Sequence, residues 1–158
     1  MSDLLTREEY AAIAADLDLP AAPYVDGKFR KGNGPVMETI NPATGKVLTK
    51  ISTANHTDVD FAVAKAREAF ERGEWARLHP SERKDVLIRL CKLITRRRRE
   101  FAVMESRESG KPIRDCELID IPETIHTIKW HAELIDKIYD QVGPSGDDAM
   151  SMIVREPI

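Results

Sequence analysis

The sequence HPSERKDVLIRLCKLITRRRREFAVMESRESGKP, residues 79–112, decides how the rest of the chain is arranged. Pro80 suits the first turn of a helix, and Gly110 followed by Pro112 is a typical helix stop. Between them, apolar residues recur at helical spacing, which predicts one buried face. These residues are Val86, Leu87, Leu90, Cys91 and Ile94. Four arginines interrupt the stripe, which resumes at Phe101, so the pattern predicts two helices or one kinked helix.

The composition is that of an ordinary globular chain. Its 158 residues fit one domain, and 42% are hydrophobic and 32% charged, which argues against disorder. No apolar run reaches the ~20 residues that a membrane-spanning helix needs. The first residues, MSDLLTREEY, lack the basic and then apolar pattern of a signal peptide. A cytoplasmic protein without a membrane partner is therefore expected.

The cysteines and histidines do not form a metal or nucleophile motif. Cys91 and Cys116 lie outside any Cys-x-x-Cys or Cys/His ligand spacing, and Cys91 falls on the apolar stripe. His126 and His131 are five residues apart, whereas two metal ligands on one helical face are usually four apart. We expect structural thiols and solvated or capping histidines. The sequence offers no set of nucleophile, base and oxyanion donors that would mark a catalytic site.

Four consecutive arginines, residues 96–99, invite an interpretation as a nucleic-acid-binding patch. Against this, no aromatic residues alternate with the arginines, and the chain has a formal net charge of −3. We expect the arginines to lie at a helix junction and to pair with acidic neighbours. No nucleic-acid partner is predicted.

Local signals predict the elements before the central stretch. Thr6 and Glu9 have the spacing of a capping box, which predicts a short helix over residues 6–17. The Asp-Gly pair at residues 26–27, between apolar flanks, predicts one hairpin. The turn sequence NPATG at residues 41–45 predicts a second hairpin, because proline and glycine fix the turn's backbone.

Patterns also mark the later helices and the C-terminal segment. Thr57 is the expected cap of a helix with one buried apolar face. That face comprises Val59, Ala62, Val63, Ala66 and Phe70. A last helix over residues 122–140 has a broad apolar surface, and residues 142–148 have the composition of a linker. Residues 150–157 predict a strand without a partner in the chain, so its pairing requires downstream sequence or another subunit.

Six sequence motifs occur in an order typical of one enzyme family. They are YVDGKF (24–29), TINPATGKVL (39–48), VDFAVAKAREAFERGEW (59–75), HPSERKDVLIRLCKLI (79–94), ESGKPI (108–113) and MIVREPI (152–158). Over residues 24–158 they resemble the N-terminal part of the NAD(P)-dependent aldehyde dehydrogenases. The end of the last helix and the following strand are most similar to the branch that includes gamma-glutamyl-gamma-aminobutyraldehyde dehydrogenase.

The resemblance implies an α/β fold, namely the N-terminal portion of the aldehyde dehydrogenase fold. This portion consists mainly of helices with two β-hairpins and a C-terminal strand of the oligomerisation type. Residues 1–20, which contain the predicted short helix, are expected to form an N-terminal helical arm, and the resemblance implies that residues 21–141 are the leading part of the cofactor-binding domain. Residues 142–158 would be a linker and the first strand of the oligomerisation arm. A homo-oligomer is implied for the complete enzyme.

The resemblance also implies oxidation of an aldehyde substrate to a carboxylic acid with NAD or NADP. In the family, a thiolate attacks the carbonyl, hydride passes to the nicotinamide, and a carboxylate activates the water that cleaves the thioester. The nicotinamide-binding loop, the catalytic Cys and the general-base Glu come later in the family's sequence, so neither Cys91 nor Cys116 corresponds to the nucleophile. We expect no catalytic or cofactor-binding residue in this chain and no activity from it alone.

One further implication of the resemblance concerns a monovalent cation. Many family members bind one through main-chain carbonyls near the Thr-Ile-Asn-Pro turn and an acidic residue before the Gly-Lys-Pro segment. Thr39 and Ile40 occupy the first position here, and Glu108 occupies the second. The family more often has Asp at the second position, and the remaining ligand would follow residue 158. The expected metal ligands are therefore Thr39, Ile40 and Glu108.

A second hypothesis comes from another functional class. The chain would be a non-catalytic interaction module that adds its terminal strand to a partner subunit. Both hypotheses predict large apolar side chains left exposed, because their partners would lie outside the chain. Trp130, Leu134 and Ile153 are expected to be among them.

Overall fold

The structure, a computed structural model, describes residues 4–156 as helices connected to three two-stranded antiparallel sheets. The first half contains α1 (Arg7–Asp16), β1 (Tyr24–Val25), β2 (Lys28–Phe29), β3 (Val36–Ile40), β4 (Val47–Ser52) and α2 (His56–Arg72). The second half contains α3 (Pro80–Arg96), α4 (Arg98–Ser109), α5 (Ile113–Asp115), a π-helical segment (Cys116–Asp120), α6 (Ile121–Leu134), β5 (Gln141–Gly143) and β6 (Ser151–Ile153). Each sheet is a hairpin of consecutive strands, β1 with β2, β3 with β4 and β5 with β6.

The local signals for helix and hairpin formation are confirmed. Thr6 Oγ1 accepts a hydrogen bond from the Glu9 N–H, and the Glu9 carboxylate accepts one from the Thr6 N–H, which completes the capping box of α1. Asp26 and Gly27 adopt φ values of 56° and 75° between β1 and β2. Both values are positive, as the type I′ two-residue hairpin turn requires.

Two predicted helix boundaries are wrong. The N-terminal cap of α2 is Asn55 rather than Thr57, because Asn55 and Asp58 exchange side-chain to backbone hydrogen bonds. The last helix ends at Leu134 instead of continuing to residue 140. There the N–H groups of Lys137 and Ile138 both donate to the Leu134 carbonyl, which forms a turn that directs the chain into β5.

The central stretch forms two helices, one of the predicted alternatives, and the chain bends at Arg97 between α3 and α4. α3 packs against α6, and α4 packs against the π-helical segment. The small core lies where these elements meet and contains Ala102, Cys116 and Ile121. Ile94, Ile113 and Ile125 pack against it. Between residues 4 and 156, we find no helix with the length and apolar character needed to cross a membrane.

The predicted burial of the helical stripes is largely wrong. On α2 no described residue is buried, and Val59 and Val63 are 51% and 62% exposed. On α3 only Cys91 is buried, while Val86 and Leu90 remain exposed. The spacing of apolar residues correctly indicates which side of each helix is apolar. The spacing does not reveal whether another element packs against that side.

The prediction that the terminal strand has no partner in the chain is also wrong. β6 pairs antiparallel with β5, in a register that places Val142 opposite Met152. Residues 142 and 143 therefore belong to a strand, although their composition suggests a linker. Arg155 closes the hairpin, since its backbone N–H donates to Asp140 Oδ1 at 3.2 Å and its guanidinium donates to the Tyr139 carbonyl.

Large apolar side chains are nevertheless exposed near the C-terminus, as both functional hypotheses predict. Trp130 is 52% exposed and Ile153 is 62% exposed, whereas Leu134 is half-buried. Val142 and Met152, which face each other across the β5–β6 hairpin, are exposed as well. An exposed two-stranded hairpin gains little stability by itself. These surfaces therefore remain free to pack against further protein.

An ion pair connects α3 to the turn that follows α6. Lys84 Nζ lies 2.7 Å from Asp136 Oδ2, and Lys137 Nζ lies 3.0 Å from Asp136 Oδ1. Hydrogen bonds from Lys84 and then Lys137 lower the pKa of Asp136 to about 2. Because the carboxyl group titrates at lower pH in the folded chain than in the unfolded chain, its ionised form favours folding.

Replacing Asp136 with asparagine should lower the urea midpoint of unfolding at neutral pH by a small amount, since the pair is exposed. The contribution is fully present above the unfolded pKa of about 3.9 and is lost as the pH falls towards about 2. The difference between the wild type and Asp136→Asn should therefore shrink between about pH 5 and about pH 2. Asp147→Asn, in an exposed loop, is the control. A difference that stays constant across this pH range would contradict the assignment.

Candidate functional site

The two segments that carry the predicted cation ligands are neighbours in the structure. α4 ends beside the β3–β4 turn, where a Cβ atom placed on Gly110 would lie 2.8 Å from Cγ of Pro42. Thr39 and Ile40 directly precede that turn, and Glu108 lies two residues before Gly110. The fold thus brings the backbone of β3 and the carboxylate-bearing end of α4 to the same region.

The β3–β4 ladder has an irregularity at this position. Its register shifts between Thr39 and Ile40, and such a bulge leaves backbone groups outside the ladder. The Thr39 hydroxyl donates to the Thr49 carbonyl at 3.3 Å, on the neighbouring strand. Within residues 4–156 no group of three or more His, Cys, Asp and Glu side chains could hold a metal ion. A cation at this turn would therefore depend on carbonyl oxygens, with Glu108 supplying charge.

The most deeply buried charged residue is one that the sequence reasoning missed. Glu117, in the π-helical segment, is 4% exposed. Tyr10 Oη donates to Glu117 Oε2 at 2.5 Å, and Arg99 Nε donates to Glu117 Oε1 at 3.3 Å. Burial, followed by this hydrogen bond to Glu117, raises the pKa of Tyr10. A periodic signal was available, because Glu117 lies four residues after Ile113 and four before Ile121, which are both core-facing.

The arginine run lies at the junction of α3 and α4, as predicted. Arg97 pairs with Glu100 at 3.2 Å. Arg98 and Arg99 approach Glu117 at 3.9 and 3.3 Å. The expectation that these arginines pair with acidic neighbours is confirmed for the three of them. Arg98 and Arg99 compensate the charge of the buried Glu117 carboxylate.

The two cysteines are buried and unsuited to nucleophilic chemistry. Cys91 is 6% exposed, and its Sγ lies 3.7 Å from the Ile125 carbonyl oxygen. Cys116 is fully buried, and burial, with a smaller effect from Asp120, raises its pKa. Its thiol therefore stays protonated at neutral pH, and a protonated thiol is a poor nucleophile.

Both thiols should resist alkylation in the folded protein. We expect iodoacetamide to modify neither Cys91 nor Cys116 near neutral pH, because burial blocks access to both thiols and disfavours the thiolate of Cys116. Both should react readily once the chain is unfolded in urea. Peptide mass spectrometry measures each site separately. Rapid modification of Cys116 in the native protein would contradict its burial.

The family assignment follows from comparison with known proteins. Residues 29–158 match the model of the aldehyde dehydrogenase family. The chain belongs to the aldehyde dehydrogenase family. The aminoacetaldehyde dehydrogenase of Pseudomonas aeruginosa is 54% identical over 100% of this chain. The resemblance inferred from the six motifs is confirmed.

Two solved aldehyde dehydrogenases have the same fold over this region. The indole-3-acetaldehyde dehydrogenase AldA of P. syringae, determined with NAD+, is 34% identical over 98% of the chain, with a TM-score of 0.93. The gamma-glutamyl-gamma-aminobutyraldehyde dehydrogenase of Burkholderia cenocepacia is 36% identical over 90% of the chain, with a TM-score of 0.86. The predicted fold class, a portion of the aldehyde dehydrogenase fold, is confirmed.

The chain spans about a third of the length of these aldehyde dehydrogenases. It covers 32% of the P. aeruginosa enzyme, 31% of AldA and 29% of the Burkholderia enzyme. Such partial coverage agrees with the exposed apolar faces of α2 and of the β5–β6 hairpin. Both observations indicate that the family's fold needs more protein than these 158 residues.

Proposed function

We propose that this chain is the N-terminal part of an enzyme that oxidises an aldehyde to a carboxylic acid with NAD or NADP. The observation that carries the proposal is the 54% identity to aminoacetaldehyde dehydrogenase over the whole chain. In this proposal the chain supplies part of the scaffold, and the catalytic Cys and Glu lie in the remaining sequence. The buried thiols of Cys91 and Cys116 support that division, because neither is placed to attack a substrate.

The domain boundaries are part of the same proposal. Residues 1–20 would form the N-terminal helical arm, residues 21–141 the leading part of the cofactor-binding domain, and residues 142–158 the start of the oligomerisation arm, with the linker confined to the loop between β5 and β6. The uncovered apolar side of α2 supports a larger domain around residues 21–141. The sequence contains no glycine-rich phosphate loop, so we assign no NAD(P)-binding residue to this chain.

The substrate class proposed for the complete enzyme is a short aldehyde that carries an amino group. It rests on the name of the 54% identical relative. The test is the full-length gene product assayed with aminoacetaldehyde and with propanal, a substrate of similar size without the amino group, using NAD+ and NADP+ in turn. We expect a higher kcat/KM for aminoacetaldehyde. Equal or higher kcat/KM for propanal would refute the amino-aldehyde assignment and leave the reaction class intact.

The reaction class is tested by comparing the purified 158-residue chain with the full-length product. The chain alone should produce no NAD(P)H from any aldehyde, because a thiolate nucleophile and a general base are both required. The full-length product should oxidise at least one of the aldehydes above. Turnover by the chain alone would contradict the proposal that the catalytic Cys and Glu lie in the remaining sequence. An inactive but folded full-length product would contradict the reaction class.

We also propose that Thr39, Ile40 and Glu108 contribute to a monovalent cation site in the complete enzyme. The adjacency of Gly110 and Pro42 and the bulge at Thr39 support it. The two main-chain carbonyls and the Glu108 carboxylate offer four oxygens at most, and hard cations take about six or more, so the remaining ligands must come from elsewhere. Thermal unfolding of the full-length product should shift upward when choline is replaced by Na+ or K+, and Glu108→Gln should reduce that shift. Glu71→Gln, on exposed α2, is the control.

A homo-oligomer in the cytoplasm is the proposed physical state of the complete enzyme. The exposed β5–β6 hairpin supports association, because Val142, Met152 and Ile153 are apolar and uncovered. The same hairpin supports the second hypothesis, a non-catalytic module that joins partner subunits by strand addition. Under that hypothesis the chain alone would co-purify with a full-length homologue at fixed stoichiometry. A non-associating monomer would count against it.

A further inference from the structure

The N-terminal helix α1 is attached to the rest of the molecule mainly by polar contacts. No residue of α1 is buried. Tyr10 Oη donates to Glu117 Oε2, and Arg107 Nη1 donates to the Ala14 carbonyl at 2.8 Å. A helix of ten residues is too short to be stable alone in water, where about 12–15 residues are needed even for good helix formers. Its helical state therefore reports whether it is docked.

The apolar contact between α1 and α4 is incomplete. An open cleft runs beside the contact between the two helices, lined by Ile13 and the capping residue Leu17 on one side and by Phe101 and Met104 of α4 on the other. Side chains that face a gap lose much of their dispersion attraction, so packing across the cleft holds α1 only weakly. The hydrogen bond from Tyr10 to Glu117, by contrast, holds α1 firmly. Its acceptor is charged and buried, which makes it short and strong.

We infer that α1 is a releasable strap, held on the helical core by the Tyr10–Glu117 hydrogen bond, and that its release uncovers the Phe101 and Met104 side of α4. The acceptor stays in place when the strap leaves, because Arg99 of α4 still donates to Glu117. Release therefore costs the contacts of α1 and leaves the π-helical segment and α6 folded. This release of α1 does not depend on the proposed aldehyde oxidation.

Hydrogen exchange measured by mass spectrometry tests the inference on the full-length gene product. In Tyr10→Phe, amides of α1 should exchange roughly tenfold faster or more, the loss expected on removing a hydrogen bond to a charged group. Amides of α4, the π-helical segment and α6 should keep their wild-type rates. Tyr24→Phe, which removes the hydroxyl of an exposed tyrosine in β1, is the matched control and should leave every rate unchanged.

Methionine oxidation gives a second readout that does not depend on amide exchange. Dilute hydrogen peroxide should oxidise Met104 faster in Tyr10→Phe than in the wild type, while Met37, already half exposed in β3, should react equally in both. Unchanged exchange in α1 together with unchanged oxidation of Met104 would overturn the inference. So would a uniform rise in exchange across α4 and α6, since Tyr10 would then support the core and not a separate strap.

Discussion

Replacing Gly32 with alanine should lower the melting temperature of the protein by roughly 4–8 °C, the shift that about 2 kcal/mol produces in a domain of this size. A Cβ atom on Gly32 would lie 2.1 Å from the carbonyl oxygen of Thr53 and 2.6 Å from its carbonyl carbon. These are backbone atoms, so no side-chain rotation relieves the clash. To relieve the clash, the alanine variant must move the β2–β3 connection, which contains Gly32, away from the segment after β4, which contains Thr53.

Local hydrogen bonds oppose that movement. The Gly34 N–H donates to the same Thr53 carbonyl at 2.8 Å, and the Thr53 N–H donates back to the Pro35 carbonyl at 3.2 Å. The loop also holds the start of α2, because the Asn33 N–H donates to Asp58 Oδ2 at 2.7 Å. Displacing the loop therefore weakens the contact between the β3–β4 hairpin and α2.

Thermal unfolding followed by circular dichroism measures the effect of Gly32→Ala. Gly146→Ala is the matched control, because its Cβ would meet only the flexible Asp148 side chain, at 3.1 Å. That control should unfold within about 1 °C of the wild type. If Gly32→Ala unfolds at the same temperature as Gly146→Ala, the close approach of Gly32 to Thr53 is wrong.

Removing the buried carboxylate at Glu117 should destabilise the protein by about 2–3 kcal/mol. Alanine leaves a cavity beside Tyr10 and removes the anion that compensates Arg98 and Arg99. The two arginines are partly exposed and can be hydrated, so we place the cost below that of breaking a fully buried ion pair. The tyrosine hydroxyl loses its acceptor.

Two further variants separate the components of this effect. Glu117→Gln keeps an acceptor for Tyr10 and removes the charge, so its unfolding free energy should lie between those of the wild type and Glu117→Ala. Glu123→Ala makes the same truncation at an exposed position on α6 and should cost less than about 0.5 kcal/mol. Urea unfolding of all four proteins gives the comparison. Equal costs for Glu117→Ala and Glu123→Ala would show that the buried pairing contributes nothing.

Features fixed by neighbouring residues could be predicted from the sequence. The capping box of Thr6 and Glu9 and the turn at residues 26–27 are formed by residues adjacent in the chain, so their signals are complete within a few positions. The interruption of the apolar stripe predicts the break at Arg97, and it does not distinguish two helices from one kinked helix. The candidate cation ligands came from family resemblance, and the fold places their two segments together.

Features that depend on distant partners could not be predicted. Val63 lies on an apolar helix side, but no spacing rule reveals whether another element covers it. β5 is recognisable only through its pairing with β6, because its own short sequence ends in Gly143 and runs into a turn. Glu117 has the spacing of a core position, yet its counterions come from α4 and its hydrogen-bond donor from α1.

The bare apolar side of α2 has a consequence for synthesis on the ribosome. In the proposed full-length enzyme these residues emerge first, and translating the remaining two thirds takes on the order of tens of seconds. During that interval Val59 and Val63 remain exposed to solvent. The nascent chain should therefore bind chaperones while it waits, and slowing elongation downstream should increase the share that aggregates.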